Sequence, residues 1–312
     1  MRVPAFFHWV GSLREPDGAA RRAPVTYRGL WRRVADVAGT GAAHVDCIGN
    51  SSGGEPLWAI TVGPGRPDVL VLAGLHAMEH VGPATAVALI ERAAAGEGVW
   101  PRRSVTVVPI ANPDGFVACE RMVARGGRRF LRRNARGVDL NRNFAVGWDD
   151  RYVLNRVVRP VFAPGPAPLS EPETRAIDRL AARLRPRVAA SLHAFGEVIY
   201  WPFASTSDPP PDADAFERIA RRMAAAQPGR GYKCMQLGRR SRLFKACGAE
   251  IDHLYARYGT LAFLIEIGAG PRLRAPATWL SPYRWFTPPE PQFGRDVRAA
   301  LAALDALGAC AE

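Results

Sequence analysis

His76 and Glu79 stand three residues apart in the stretch VLVLAGLHAMEHVGP, with His80 directly behind them. Imidazole and carboxylate both bind zinc, and a catalytic zinc usually has three protein ligands and one open position. A tight turn can aim a histidine and a glutamate at this spacing toward one ion. Two further residues are of the same chemical kind. His193 lies in SLHAF near the end of an apolar run, and Glu266 lies inside FLIEIG between Ile265 and Ile267. A carboxylate in so apolar a strand is costly unless it is paired or sits beside a metal. Each feature alone also has a plainer reading. H-x-x-E fits a partly buried histidine beside a surface glutamate, and Glu266 fits an edge strand that faces water.

Such residues need elements that bring them together. Val69–Ala73 is a short apolar run with β-branched residues, ended by Gly74, which reads as a strand buried on both faces. Ala84–Ala95 reads as a helix. The ligand-type residues therefore fall in the turn at the C-terminal end of a parallel-type strand, where open α/β sheets build their sites. Ser104–Ile110, Arg187–Phe195 and Thr260–Ala269 read as further strands, and Gly49–Val62 as a hairpin. Asn112-Pro113-Asp114-Gly115 reads as a turn. Leu30–Val37, Asp212–Gln227 and Phe293–Leu307 read as helices, and Ser170 with Glu173 as a capping box that opens another. Residues 116–150 have weak periodicity, and a connection of that length inside a domain is usually functional. Strands and helices alternate, which gives an α/β chain with a largely buried sheet.

The whole chain sets outer bounds. At 312 residues, with 48% hydrophobic content, it can bury a sizeable core, and charges interrupt it too often for a membrane span. Its five cysteines are scattered and never in C-x-x-C, which excludes a disulfide scaffold and a cysteine-rich zinc site. The opening residues, MRVPAFFHWVGSLREPDG, carry no secretory signal pattern, so the expected location is cytoplasmic. The net charge of +13 is nearly all arginine, since only Lys233 and Lys245 are lysines. Only one aromatic, Phe130, falls among the arginines between Arg121 and Arg142 and no nucleic-acid motif is present, so no nucleic-acid partner is expected. A positive field that draws in anionic substrates explains the charge equally well.

Taken together the motifs resemble the zinc carboxypeptidase family of the carboxypeptidase A type. The pieces that carry the resemblance are, in order, IGNSSGGEPLWAITVG, HAME, NPDGF, RRNARGVDLNRNF, SEPETRA, SLHAF and the stretch from Leu243 to Glu266. NARGVDLNRNF with SEPETRA is also similar to bacterial members that trim cell-wall peptides. The resemblance implies a single domain with a central mixed, largely parallel sheet flanked by helices on both faces. Residues 1–44 would pack as an N-terminal segment on a catalytic domain of residues 45–312. It implies one Zn2+ per chain on His76, Glu79 and His193, with Asp139 holding the ring of His76. Glu266 would be the general base and proton shuttle, and Arg132 would polarise the scissile carbonyl. Asn141 and Arg142 would clamp a free substrate carboxylate, a role suited to guanidinium.

The expected function is hydrolysis of the amide bond next to a free C-terminal carboxylate in a peptide. An amidase acting on cell-wall peptides or N-acyl amino acids would use the same clamp, and a non-catalytic zinc- or peptide-binding module stands as an alternative from another class. Phe244 and Phe195 stand where the family usually has tyrosine. Phe244 can cover a substrate but cannot donate a hydrogen bond to it. Ile251 is expected at the base of the pocket for the C-terminal side chain, favouring apolar or aromatic residues, with Glu250 and Asp252 beside it able to reverse that preference. HAMEH also matches H-x-x-E-H, in which His76 and His80 would be the ligands, but that motif needs one continuous helix and Gly82-Pro83 follows it directly.

Overall fold

The apolar runs of the sequence lie side by side in one sheet. The structure, a computed structural model, describes residues 3–14, 25–149, 162–229, 231–241, 245–271 and 280–311. Its strands are β1 (Ala43–Asn50), β2 (Pro56–Val62), β3 (Val69–Ala73), β4 (Val105–Val108), β5 (Val188–His193), β6 (Val198–Trp201), β7 (Lys233–Gln236) and β8 (Leu261–Glu266), in the order β1-β2-β4-β3-β5-β8-β6-β7. The central strands β4, β3, β5 and β8 are parallel. β2 joins β4, and β6 joins β8, in antiparallel fashion. The sheet is therefore mixed and parallel in its middle, as expected. Every residue of β3, β4 and β5 is buried, which is why these strands read as continuous apolar runs and not as alternating ones.

Helices cover both faces. They are α1 (Val3–Ser12), α2 (Tyr27–Gly39), α3 (Val81–Ala94), α4 (Pro113–Ala124), α5 (Pro172–Leu184), α6 (Ala213–Ala225), α7 (Glu250–Tyr258), α8 (Pro282–Phe286) and α9 (Gln292–Ala309). Val69, Val71 and Ala73 of β3 enter one apolar cluster with residues of α2, α3, α6 and α9. Leu70 and Leu72 enter another with Ile177 and Leu180 of α5 and Ile251 and Leu254 of α7. The period-two alternation of a strand thus feeds two cores. Near the N-terminus Phe6 packs edge-on to Trp58 of β2 at 5.0 Å between ring centres, with Trp31 of α2 beside it.

Several local readings change. α3 starts at Val81, ahead of the expected Ala84, because Pro83 sits in its first turn where a missing N–H costs nothing. Asn112 does not make a turn; its side chain accepts from the Gly115 N–H and caps α4, with Pro113 at the first helical position. The expected capping box at Ser170 is absent. Pro172 takes the first helical position, so Glu171 is the N-cap, and Glu173 accepts from the backbone and hydroxyl of Ser52. β6 and β7 were not foreseen.

Two glycines set how the site loop leaves the sheet. Gly74 has φ +66°, a left-handed turn that ends β3. Gly82 lies so close to β5 that a Cβ there would stand 2.9 Å from the Leu192 carbonyl oxygen. Gly82→Ala must push α3 off β5, and the expected loss is about 1–3 kcal/mol of folding stability by chemical denaturation. An unchanged denaturation midpoint would show that the contact has slack.

Candidate metal centre and the cavity around it

Three neighbouring parallel strands deliver the site at their C-terminal ends. Past Gly74, the loop after β3 carries His76 and Glu79. Its backbone is pinned by the Asn112 side-chain amide, which donates to the Leu75 carbonyl, and by the Ala77 N–H, which donates to the Arg132 carbonyl. His193 is the last residue of β5 and Glu266 the last of β8, and the two are register partners. Directly paired residues of adjacent strands share a face, so imidazole and carboxylate stand next to each other.

The two imidazoles and Glu79 converge. His76 Nδ1 lies 2.8 Å from Glu79 Oε1, and His193 Nδ1 lies 3.0 Å from both Glu79 Oε2 and His76 Nδ1. Partners on the far side of each ring fix its tautomer. His76 Nε2–H donates to Asp139 Oδ1 at 3.2 Å, and His193 Nε2–H donates to Glu250 Oε1 at 3.1 Å. Both Nδ1 atoms then turn lone pairs toward each other and toward the carboxylate. Among the described residues this is the one group of three or more metal-type side chains with donor atoms within 4.8 Å of one another. The cluster demands positive charge at its centre. Burial opposes protonation of His193, yet hydrogen bonds to Glu250 and Glu79 outweigh it and push its pKa up to about 10. Burial would also raise Glu79, but both histidines hold it well below the usual carboxylate range. A divalent cation fits this donor set: two neutral nitrogens and one carboxylate oxygen, each ring oriented from behind.

A cavity of about 380 Å³ opens beside the cluster, and His76, His193, Arg132, Asn141, Arg142 and Glu266 line it. Asp139 is its anchor. Besides His76 it accepts from Arg132 Nε at 2.8 Å and from the Asn141 N–H at 3.0 Å. Arg142 Nη1 donates to the Asn141 carbonyl at 2.5 Å. Glu266 is pushed up to about 7, by burial first and by the charge of Glu79 second.

Other residues lie elsewhere than the sequence suggested, or were missed. Ile251 is fully buried in the apolar cluster on α7 and does not line the cavity. Phe195 packs on Phe286, 5.1 Å between ring centres, away from the cavity. Phe244 lies outside the described residues. Glu250 had been noted only as a neighbour of Ile251; at the first position of α7 it holds His193, and its Oε2 is buried without a hydrogen-bond partner among the described residues. Phe162 carried no signal in its Pro-rich surroundings, yet the Arg132 and Arg142 guanidiniums lie 5.3 and 5.1 Å from its ring centre.

Comparison with known proteins follows this geometry. The zinc carboxypeptidase family model matches residues 38–303. The chain is 27% identical over 224 residues to mast cell carboxypeptidase A of Mus musculus, covering 67% of this chain and 54% of that protein. It is 28% identical over 221 residues to zinc carboxypeptidase A 1 of Drosophila melanogaster, covering 66% and 50%. The chain thus spans about half the length of the curated relatives it matches. Among solved structures, the carboxypeptidase A from Helicoverpa armigera shares its fold with TM-score 0.73 and 20% identity, over 99% of this chain and 81% of that one. Bovine thrombin-activatable fibrinolysis inhibitor, solved with tick carboxypeptidase inhibitor, does so with TM-score 0.74 and 20% identity, over 90% and 96%.

His80 stands apart from the donors. Residues 74–80 form bends and turns, with His80 as the N-cap of α3, so the continuous helix that H-x-x-E-H requires is missing. Its Nε2–H donates to the Ala77 carbonyl at 3.0 Å, its Nδ1 lies 3.1 Å from the Tyr283 hydroxyl, and its ring stacks on Phe116 at 3.9 Å. Burial drives its pKa down to about 3 against an ordinary 6.5, the Ala77 carbonyl only partly opposing. The unfolded chain therefore binds a proton below pH 6.5 that the folded chain refuses until about pH 3. Stability present above pH 6.5 should be lost as pH falls through that window, by up to about 1.4 kcal/mol per pH unit from this group. Urea titrations at several pH values on wild type and His80→Gln should give a shallower pH slope for the variant; equal slopes would remove His80 as the cause.

Proposed function

Because the chain belongs to the zinc carboxypeptidase family, we propose that it hydrolyses the amide bond next to a free C-terminal carboxylate of a peptide. The observation that carries this reading is the convergence of the His76 and His193 Nδ1 lone pairs with the Glu79 carboxylate, beside a cavity lined by Glu266 and arginines. The family implies Zn2+, and His76, Glu79 and His193 would hold one ion per chain. When bound, zinc supplies Lewis acidity, bringing the pKa of water down to ~7 and polarising the carbonyl.

The residues of the chain account for the rest of the reaction. Glu266 takes a proton from the attacking water as the new C–O bond forms, and returns it to the amine nitrogen as the C–N bond breaks. Its pKa of about 7 suits both directions of transfer near neutral pH. Arg132, oriented by Asp139, offers positive charge to the oxyanion that develops on the carbonyl. Arg142 and Asn141 receive the substrate carboxylate, and Phe162 shields the two guanidiniums from water on one side. Glu250 and Asp139 hold the two histidine rings in the tautomer that leaves Nδ1 free.

Purified protein is expected to contain about one zinc per chain, and His193→Ala to lose it; full zinc in that variant would remove His193 from the ligand set. Glu266→Gln should keep zinc but lose about 10²–10⁴-fold in turnover, since an amide cannot take the proton. Matched substrates with a free or an amidated C-terminus test the clamp. The free acid should be cleaved roughly 10²-fold better, because amidation leaves the guanidinium badly paired. Equal cleavage of the two sinks the exopeptidase reading.

A further inference from the structure

The cavity holds two positive charges that the reaction described above does not use, Arg240 and Lys245. Arg132 is tied to Asp139 and faces Glu79. Lys245 donates to the Ser207 hydroxyl and to the Gly238 and Ser241 carbonyls. Arg240 follows the short helical turn after β7 and lines the same cavity. Among the described residues its guanidinium makes no ion pair, and it rests 5.9 Å from the ring centre of Tyr200. Tyr200 is the register partner of Leu264, which also lines the cavity and lies two residues before Glu266 on β8. Arg240 and the proposed general base thus line one cavity, and the charge of Arg240 is felt at Glu266.

We propose that Arg240 makes this cavity select a C-terminal residue with an acidic side chain, glutamate or aspartate. The inference rests on the carboxypeptidase reading, in which Arg142 and Asn141 hold the α-carboxylate and leave Arg240 for a second one. Leu237, Ala246 and Leu264 give the methylenes of such a side chain an apolar wall. A basic side chain would meet Arg240 and Lys245, with Glu266 the only carboxylate lining the cavity among the described residues. The apolar preference expected from Ile251 has no basis in the pocket, because Ile251 is buried in the core behind it. Neither flanking acid turns the pocket toward basic residues: Glu250 holds His193, and Asp252 accepts from the Ala204 and Ser205 N–H groups and the Ser205 hydroxyl.

The test compares kcat/KM for a matched series of blocked dipeptides ending in glutamate, aspartate, leucine, phenylalanine or lysine, using zinc-loaded wild type, Arg240→Ala and Arg240→Glu. Wild type should favour glutamate or aspartate over leucine by about tenfold or more. Arg240→Ala should lower the glutamate-to-leucine ratio by about tenfold, and Arg240→Glu should bring lysine above glutamate. Preference for leucine or phenylalanine in wild type, or a ratio untouched in Arg240→Ala, overturns the proposal while leaving the carboxypeptidase reading intact. If no dipeptide is cleaved, the carboxypeptidase reading fails, and calorimetry with free L-glutamate and L-leucine decides the selectivity. Tighter glutamate binding that Arg240→Ala abolishes supports it; equal affinities in wild type overturn it.

Discussion

Three electron-pair donors aimed at one buried point cannot rest there unless a positive charge sits between them. Two imidazole nitrogens 3.0 Å apart, each 2.8–3.0 Å from an oxygen of one carboxylate, are in that position here. Much of the surrounding structure follows from it. Asp139 and Glu250 stand behind the two rings and hold them with their lone pairs inward. Each of those carboxylates is itself buried and so needs neighbouring charge or donors: Arg132 and the Asn141 N–H for one, the His193 ring for the other. The polar shell is layered, and every layer is stable only because the one inside it asks for the opposite charge.

The sheet makes that arrangement possible at a location where polar side chains can be concentrated. Adjacent parallel strands end together, so β3, β5 and β8 deliver the loop of His76 and Glu79, His193 and Glu266 to one edge from positions far apart in the chain. Both faces of those strands are packed with aliphatic side chains, which holds the ends in register. Gly82 brings α3 directly against β5 behind the loop. Rigid backing of this kind gives the loop residues that hold the histidine rings a fixed base.

The parts of this design that were legible in the sequence are those in which polarity breaks an apolar run. His193 and Glu266 stood out because valine, leucine and isoleucine surround them, and Glu79 because it follows His76 in the turn after such a run. The central strands were legible for the same reason. What stayed hidden comes from segments whose local pattern is ordinary. Glu250 opens a surface-like amphipathic helix, and only the packing of α7 under β5 and β8 turns it toward His193. Phe162 and Arg240 sit in irregular stretches with no periodicity to betray a facing direction. Capping chemistry misled in both places for one cause: a proline at the first helical position relocates the cap to the residue before it, Asn112 in α4 and Glu171 in α5.

Asp139 joins groups with different proposed tasks. One oxygen accepts from the His76 ring and from the Asn141 backbone, and the other accepts from Arg132. A cation drawing electron density from His76 and a substrate carbonyl drawing Arg132 toward itself would therefore pull on a single carboxylate from opposite sides. Occupancy at one place would then change the free energy of occupancy at the other, and by the same amount in either order. A metal in such an arrangement would not be an inert fixture awaiting substrate: each guest would tighten or loosen the other's hold through one shared anion.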